Sequence, residues 1–363
     1  MSSAAMGVEP ISEVCVIGGG PAGLAAAIAI GEIGCRTTVI DHAVPPIEKA
    51  CGEGLMPDSV AALSRLGVTI PFDAGFRFQG IRFSDGQSSI AADFPNGPGI
   101  GVRRAILHDL LLQRAQELKV DCVWGVKQMH VNGPRVTVDG CTLRPDFIVG
   151  ADGQNSLTRR RLGLHRIVRE HNRYAYRRHY RIVPWSPYME LHWGPRCQIY
   201  ITPVAPDEIC VVSMAWSPKV RLDDALAHFP VLRERLADSE PISRERGALT
   251  TSRGLRRVCK DGVALIGDAS GSVDAITGEG LCLSFNQALS LAAALRSGNL
   301  RDYETEHRLL SRRPQTMAAL MLTLDRSRSL QKRALASLAV HPKLFASLLA
   351  VHVGGRSFAD LFS

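Results

Sequence analysis

The chain lacks several features that would assign it to a class at once. No two of its nine cysteines have the CxxC spacing, which argues against a disulfide framework and against a zinc site. No repeat or low-complexity tract interrupts it. The first ten residues lack the basic and apolar segments of a signal peptide, and no apolar run reaches about 18 residues. We therefore expect a globular, cytoplasmic protein without a transmembrane segment.

Charge and composition exclude few other classes of protein. The formal net charge is +8, but the arginines lie in scattered clusters without a recognisable nucleic-acid-binding module. We therefore expect no nucleic acid partner, and we expect the basic surface to attract anionic cofactors. With 363 residues and 45% hydrophobic content, the chain can bury one large domain and a smaller insertion.

The most informative segment follows the apolar run 14–17. Gly18, Gly20 and Gly23 form a GxGxxG pattern that opens an Ala-rich helical stretch, and Asp41 closes the next apolar run. In a dinucleotide-binding βαβ unit, the first glycine allows a tight turn, the second lets the backbone approach a pyrophosphate, and the third lets helix and strand pack closely. The acidic residue accepts hydrogen bonds from ribose hydroxyls. This segment predicts a site for an ADP moiety.

Two later motifs also follow predicted strands. Residues 148–159 contain Asp152 and Gly153 at a turn in a DGxxSxxR pattern, and residues 264–269 place Gly267 and Asp268 at the end of a strand. Taken singly, such aspartates are more often helix caps or turn residues. Their order after GxGxxG favours a cofactor site.

These three motifs resemble those of the FAD-dependent oxidoreductase superfamily of aromatic hydroxylases (group A flavin monooxygenases) and geranylgeranyl reductases, over roughly residues 12–300. The resemblance implies that Asp41 holds the adenosine ribose, that Arg104 contacts the ribityl and phosphate region, and that Asp268 holds the ribityl chain. It also implies that the loop 274–281 lies along the isoalloxazine ring. The implied cofactor-binding residues are Gly18, Gly20, Pro21, Ala22, Gly23, Asp41, Arg104, Asp152, Gly153, Gly267, Asp268, Gly278, Glu279, Gly280 and Leu281.

The predicted fold class is α/β, with a Rossmann-like, three-layer FAD-binding domain around a parallel sheet and an inserted antiparallel sheet for the substrate. We expect a discontinuous FAD-binding domain at 11–50, 96–165 and 255–300, a substrate domain at 55–95 and 170–250, and a helical C-terminal region at 301–363. Helical patterning in that last region breaks near Pro314 and Pro342.

The candidate catalytic positions are Cys51, Gly278 and Gly280. Cys51 lies in a CGEGL segment that resembles the corresponding stretch of geranylgeranyl reductases, where the cysteine faces the substrate; an isolated cysteine is more often inert. Tyr176 and Tyr200 are the candidate substrate-binding residues, although aromatic residues on sheets often only pack. His179 and His192 show no partner in the sequence, and no metal site is predicted.

Two reactions remain open at this stage. The first is monooxygenation, in which NAD(P)H reduces FAD and an activated aromatic, quinol or polyketide-like ring is hydroxylated. The second is reduction of carbon–carbon double bonds, which the CGEGL segment favours. Halogenation and a non-catalytic FAD-binding role are more remote. The segment 329–353 either packs on the protein surface or lies at a membrane interface, and the oligomeric state cannot be inferred.

Overall fold

The computed structural model describes residues 12–361. Its strands, numbered in chain order, are β1 (Glu13–Ile17), β2 (Arg36–Asp41), β3 (Gly54–Leu55), β4 (Phe76–Phe78), β5 (Gly80–Ser84), β6 (Ser89–Asp93), β7 (Gly99–Gly101), β8 (Asp121–Trp124), β9 (Met129–Asn132), β10 (Arg135–Val138), β11 (Cys141–Leu143), β12 (Phe147–Gly150), β13 (Ile167–Arg181), β14 (Tyr188–Trp193), β15 (Cys197–Ala205), β16 (Glu208–Ala215), β17 (Glu240–Pro241), β18 (Arg246–Leu255), β19 (Cys259–Lys260) and β20 (Val263–Leu265). The α-helices are α1 (Pro21–Glu32), α2 (Pro57–Arg65), α3 (Arg104–Glu117), α4 (Leu157–Arg161), α5 (Leu222–Leu226), α6 (Pro230–Ala237), α7 (Gly280–Ser297), α8 (Leu300–Asp325), α9 (Arg328–Val340) and α10 (Pro342–His352). Short 3₁₀ turns cover Gly267–Ser270, Ala275–Thr277 and Ala359–Leu361.

The first of the two large sheets has six strands in the order β19-β20-β12-β1-β2-β8. Its strands are parallel except for the edge strand β19. Successive side chains of β1 point to opposite faces. Val14 and Val16 pack with helices α1, α3 and α7, whereas Cys15 and Ile17 pack with the small antiparallel sheet β9–β11. This three-layer α/β arrangement confirms the predicted fold class.

The second large sheet has the order β17-β13-β16-β15-β14-β5-β6, with β18 paired to β13. All its neighbours are antiparallel except β14 and β5. Helices α5 and α6 cover one face through apolar residues such as Leu222 and Leu232. On the other face, Met321 of α8 packs with Tyr200 of β15. The sheet β3-β7-β4 lies beside these layers and brings the CGEGL segment toward β15.

The C-terminal region is helical as expected, but one predicted break is wrong. Helix α8 runs through Pro314 without interruption. Pro314, Met317 and Met321 are buried on this helix, so packing compensates for the hydrogen bond that proline removes. The break at Pro342 does occur, because α9 ends at Val340 and α10 begins at Pro342.

Within residues 12–361 no single helix is both long enough and apolar enough to cross a bilayer. Helices α9 and α10 meet both criteria only when taken as a pair, and they are bent by 108° at their junction.

Candidate functional site

A cavity of about 830 Å³ lies between the six-stranded sheet and the second large sheet. Residues from all three sequence motifs reach its wall. The predicted residues that line it are Gly18, Gly20, Pro21, Ala22, Asp41, Cys51, Arg104, Asp152, Gly153, Tyr200, Asp268, Gly278, Gly280 and Leu281. Four predicted residues lie elsewhere, namely Gly23, Tyr176, Gly267 and Glu279. The predicted residues on its wall therefore come from segments that are up to about 260 residues apart.

The three glycines of the first motif differ in what surrounds them. Gly18 has φ +107°, and a Cβ there would lie 2.4 Å from the Ala151 carbonyl oxygen. A Cβ on Gly23 would lie 1.8 Å from the Gly18 carbonyl oxygen, so Gly23 serves helix–strand packing and not the cavity wall. A Cβ on Gly20 would meet nothing within 4 Å. No side chain caps the N-terminus of α1 at Gly20, which leaves its backbone exposed to an anionic group.

Asp41 at the end of β2 is held by backbone amides. Its Oδ2 accepts a hydrogen bond from the Gly19 N–H at 2.6 Å, and its Oδ1 accepts one from the Ala43 N–H at 2.8 Å. The buried His108 of α3 lies with its Nε2 2.8 Å from the Gly19 carbonyl oxygen. His108 thus supports the glycine turn from behind. The sequence interpretation missed this role, since a lone histidine on a helix carries no signal of its own.

The second and third motifs are connected through Arg159. Its Nη1 donates to the Ala269 carbonyl at 2.9 Å, and its Nη2 donates to the Gln154 carbonyl at 2.8 Å. Arg159 is 1% exposed. The carboxylate of Asp152 accepts from the Ser156 hydroxyl at 2.5 Å and from the Thr158 N–H at 2.9 Å. Asp152 therefore shapes the turn before α4 with its side chain, and it contributes to the cavity wall from the same turn.

Asp268 keeps an accessible carboxylate on the cavity wall. Its Oδ2 lies 3.2 Å from Lys49 Nζ, and its side chain is 40% exposed. Lys49 also lines the cavity and was missed at the sequence level. Gly267, which precedes Asp268, lies behind the wall with φ +58°, and a Cβ there would lie 2.7 Å from Ala22 Cβ. Gly267 therefore acts by close packing.

The loop 274–281 is fixed to the second large sheet by a buried ion pair. Arg173 of β13 is fully buried, and its Nη1 lies 3.1 Å from Asp274 Oδ1. The same oxygen accepts from the Ile276 N–H at 3.0 Å. Gly278 and Gly280 reach the cavity, but they offer only backbone atoms to it. The Glu279 side chain leaves the wall and pairs with Arg313 at 3.0 Å.

Behind Cys51 lies a buried cluster centred on Glu53. Glu53 has φ +58°, a left-handed conformation that is uncommon for a residue with a side chain. Its Oε2 lies 2.6 Å from His179 Nε2, and its Oε1 accepts from the Arg104 N–H at 3.1 Å and lies 3.4 Å from Arg177 Nη1. Burial alone would raise the pKa of Glu53, but the hydrogen bond and charge of His179, with help from the Arg104 N–H and Arg177, hold that pKa below its ordinary value.

This cluster corrects the view of His179 as a residue without a partner. It also positions Cys51, because the Cys51 sulfur accepts the Glu53 N–H at 3.4 Å on the cavity wall. Donor atoms of Glu53, His179 and Cys210 lie within 4.8 Å of one another. Arg177 already supplies a positive charge there, so we assign no metal to the cluster.

Tyr176 does not line the cavity in this structure. Side chains of β13 alternate between two faces, and Tyr176 lies on the face covered by α5, where its hydroxyl donates to the Pro218 carbonyl at 2.6 Å. Its neighbour Ala175 lines the cavity. Tyr200 does line the cavity, and its hydroxyl donates to Gln198 Oε1 at 3.0 Å.

The end of the cavity away from the glycine motifs is apolar. Phe83 and Trp193 stack there, with ring centroids 5.2 Å apart. The other apolar residues come from the second large sheet and from α8, α9 and α10: Ile81, Leu191, Val212, Met214, Met317, Leu320, Met321, Leu324, Leu335, Leu338, Phe345, Leu348 and Leu349. We call this region the apolar end, and we call the region around Gly20, Asp41 and Asp268 the polar end.

Comparison with known proteins agrees with this geometry. The sequence profile of the FAD binding domain family matches residues 12–82. The menaquinone reductase of Mycolicibacterium smegmatis is 28% identical over 353 residues, which cover 87% of this chain and 85% of that protein. The 6-methylpretetramide 4-monooxygenase of Streptomyces rimosus is 27% identical over 395 residues, which cover 92% and 87%. The match to the FAD binding domain family and these two relatives support the predicted FAD-dependent oxidoreductase.

Solved structures show the same fold. The flavin-dependent brominase Bmp2 superposes with a TM-score of 0.77 over 94% of both chains, at 20% identity. The family match and the relatives indicate that this chain is an enzyme that uses FAD, as its motifs predicted. The residues present fit that cofactor, because Gly20 leaves open space beside an uncapped helix N-terminus and Asp268 presents an accessible carboxylate.

Proposed function

We propose that this FAD-dependent oxidoreductase is a monooxygenase that hydroxylates an apolar aromatic, quinol or polyketide-like ring, with NAD(P)H as the electron donor. The observation that carries the proposal is the cavity that joins a polar end, suited to FAD, to an apolar end. When bound, FAD supplies two-electron redox chemistry and the activation of oxygen. The relative from Streptomyces rimosus is named as a monooxygenase of 6-methylpretetramide, which supports this reaction class.

At the polar end, each residue has a distinct role in holding FAD. The α1 N-terminus at Gly20 receives the pyrophosphate, because unpaired N–H groups and the helix dipole favour an anion there. Asp41 would accept from the adenosine ribose, and Asp268 would accept from the ribityl hydroxyls. Arg104 on the wall would neutralise phosphate charge. The loop 274–281 would hold the ring system, and the N-terminus of α7 would favour negative charge there.

At the apolar end, the side chains select the substrate by shape and exclude water. Phe83, Trp193 and Tyr200 offer aromatic surfaces, whereas Met317 and Met321 of α8 adapt to an irregular outline. By excluding water, these side chains would favour oxygen transfer to the substrate over side reactions. These residues position a compact apolar substrate without supplying an acid or a base.

The C-terminal helices support access for a lipid-soluble substrate. Leu330, Val340 and Leu344 are exposed on α9 and α10 near the basic residues Lys332 and Lys343. Other leucines of the same helices line the cavity. We propose that this surface contacts anionic membranes peripherally. Cosedimentation with phosphatidylglycerol vesicles but not with phosphatidylcholine vesicles is the expected result, and loss of protein from both pellets would contradict it.

The decisive experiment compares turnover with and without oxygen. Purified protein with FAD and NAD(P)H is given quinol, polyketide and polyprenyl substrates in air and under argon. We expect a product that gains one oxygen atom from ¹⁸O₂, and no product under argon. Turnover that persists under argon and saturates a carbon–carbon double bond would overturn monooxygenation.

Reduction of a carbon–carbon double bond is the second candidate, and the position of Cys51 favours it. The thiol lies on the cavity wall, where it can donate a proton to a substrate carbon. The relative from Mycolicibacterium smegmatis is named as a menaquinone reductase. We expect Cys51→Ser to retain FAD, measured by its visible absorbance, and to lose most turnover. Unchanged turnover would restrict Cys51 to packing.

A further inference from the structure

Two buried side chains meet at the loop 274–281: Glu279, which does not line the cavity, and His352 of α10, which does. Glu279 at the start of α7 is 1% exposed, and His352 at the end of α10 is 6% exposed. Glu279 Oε2 and His352 Nδ1 lie 3.7 Å apart. Among the described residues, neither of these two atoms has a hydrogen-bond partner. A hydrogen between two buried polar atoms that lack other partners would satisfy both of them.

The other atoms of both side chains fix where that proton belongs. His352 Nε2 lies 3.1 Å from the Thr277 carbonyl oxygen, which can only accept, so Nε2 carries a hydrogen. In a neutral ring Nδ1 then presents a lone pair toward Glu279 Oε2. Glu279 Oε1 accepts from Arg313 Nη2 at 3.0 Å. A hydrogen on Oε2 would point its positive end at the Nδ1 lone pair across the 3.7 Å gap, which a small side-chain shift would close to a hydrogen bond, whereas an ionised carboxylate would face that lone pair with a negative charge.

The charges around Glu279 and His352 also favour a proton on Glu279. Arg313 Nη2 also lies 2.8 Å from Asp58 Oδ2 of α2, so one cation serves two carboxyl groups. Cys282 of α7 is a further titratable group facing this cluster. If both carboxyl groups were ionised, the buried cluster would carry an uncompensated negative charge, which is costly in a dry interior. Burial raises the pKa of Glu279 to about 8 and lowers that of His352 to about 4.

We propose that Glu279 and His352 share one proton, and that this neutral pair fixes the 277–281 loop and keeps negative charge away from the end of α7 that faces FAD. Both are positioning residues, because His352 acts through the Thr277 carbonyl and Glu279 acts through the start of α7. An ionised Glu279 would offset the positive end of the helix dipole. Reduction of FAD would then become less favourable. This role rests on the proposed position of the FAD ring, whereas the shared proton does not.

Infrared spectroscopy tests the proton directly. Spectra of the FAD-loaded wild type and Glu279→Gln proteins are recorded at pH 6 and above pH 9. Glutamine keeps the acceptor for Arg313 and offers an N–H to His352, so the variant should fold. We expect a protonated-carboxyl band in the wild type at pH 6 that disappears above pH 9 and is absent from the variant at both values. A wild-type spectrum without this band would overturn the shared proton.

The midpoint potential of bound FAD tests the role of the pair. In the wild type we expect an additional inflection in the plot of potential against pH, where the shared proton is lost. Glu279→Gln should lack this inflection at unchanged FAD affinity. Glu306→Gln, an exposed change on α8, is the matched control and should keep it. A carboxyl band without an inflection would overturn the role beside FAD and would show that the proposed ring position is wrong.

Discussion

The polar and apolar ends of the cavity are built in different ways. The polar end is made mostly of backbone at tight turns, where Gly18 and Gly23 leave no room for a methyl group. The apolar end is made of side chains from the second large sheet and three C-terminal helices, many of them leucine or methionine. A close backbone contact leaves no room for an added atom, whereas one apolar side chain can be replaced by another of similar volume. We therefore expect the cofactor end to be strictly specified and the substrate end to be adjustable.

The largest expected effect follows from adding one methyl group at the polar end. Gly23→Ala would place a Cβ 1.8 Å from the Gly18 carbonyl oxygen, so we expect a loss of about 3 kcal/mol or more of stability, measured by urea unfolding of the apoprotein. Gly20→Ala is the matched control, since its Cβ meets nothing within 4 Å. That variant should keep its apoprotein stability and bind FAD more weakly. If both variants lost the same stability, the difference between a closely packed Gly23 and an open Gly20 would be wrong.

The next expected effect is a loss of FAD affinity when the Asp268 carboxylate is removed. Asp268→Ala should weaken FAD binding by about 10- to 150-fold, because a hydrogen bond to a charged group contributes about 1.5–3 kcal/mol. Fluorescence titration of the apoprotein with FAD measures this change. Asp238→Ala, an exposed change after α6, serves as the control and should bind FAD like the wild type. Wild-type affinity in the Asp268 variant would remove the carboxylate from the proposed site.

A volume-conserving change at the apolar end should have a smaller effect. Met321→Leu alters a buried residue of α8 on the cavity wall, and such exchanges usually cost less than about 1.5 kcal/mol. We expect unchanged FAD affinity and a severalfold change in KM that depends on the size of the substrate. Steady-state kinetics with two substrates of different length measures it. A loss of FAD binding would show that the two ends are not separable.

A last expected effect is a dependence of stability on pH. The pKa of Glu279 is raised from 4.5 to about 8, so the folded protein holds a proton that the unfolded chain releases. This contribution is fully present below pH 4.5 and is lost as the pH rises toward 8. The Tm of the wild type minus that of Glu279→Gln should therefore fall across this range. A constant difference would mean that Glu279 is ionised throughout.

The polar end was predictable because its signals are local. Gly18, Gly20, Gly23 and Asp41 lie within one βαβ unit, and their spacing alone defines the turn, the open approach and the packing contact. Asp152 was also found, although its carboxylate is used for hydrogen bonds to Ser156 and Thr158. The sequence pattern predicted the position of Asp152 but not its hydrogen-bond partners.

The apolar end and the buried clusters were not predictable in the same way. Alternation along β13 separates two faces, but it does not say which one meets the cavity, and Tyr176 lies on the wrong one. Glu53 and His179 are 126 positions apart, so nothing in the spacing joins them. Pro314 has a strong local preference against helix, and the packing of α8 overrides it. In each case a long-range contact decides the outcome.

Arg159 has a consequence for the order in which the protein is made. Its guanidinium is buried and donates to the carbonyl of Ala269, 110 residues later. A nascent chain that has emerged only as far as α4 holds this cation without one of its acceptors, although the first βαβ unit is already complete. We therefore expect the growing polypeptide on the ribosome to capture its yellow coenzyme only after the third motif has left the exit tunnel.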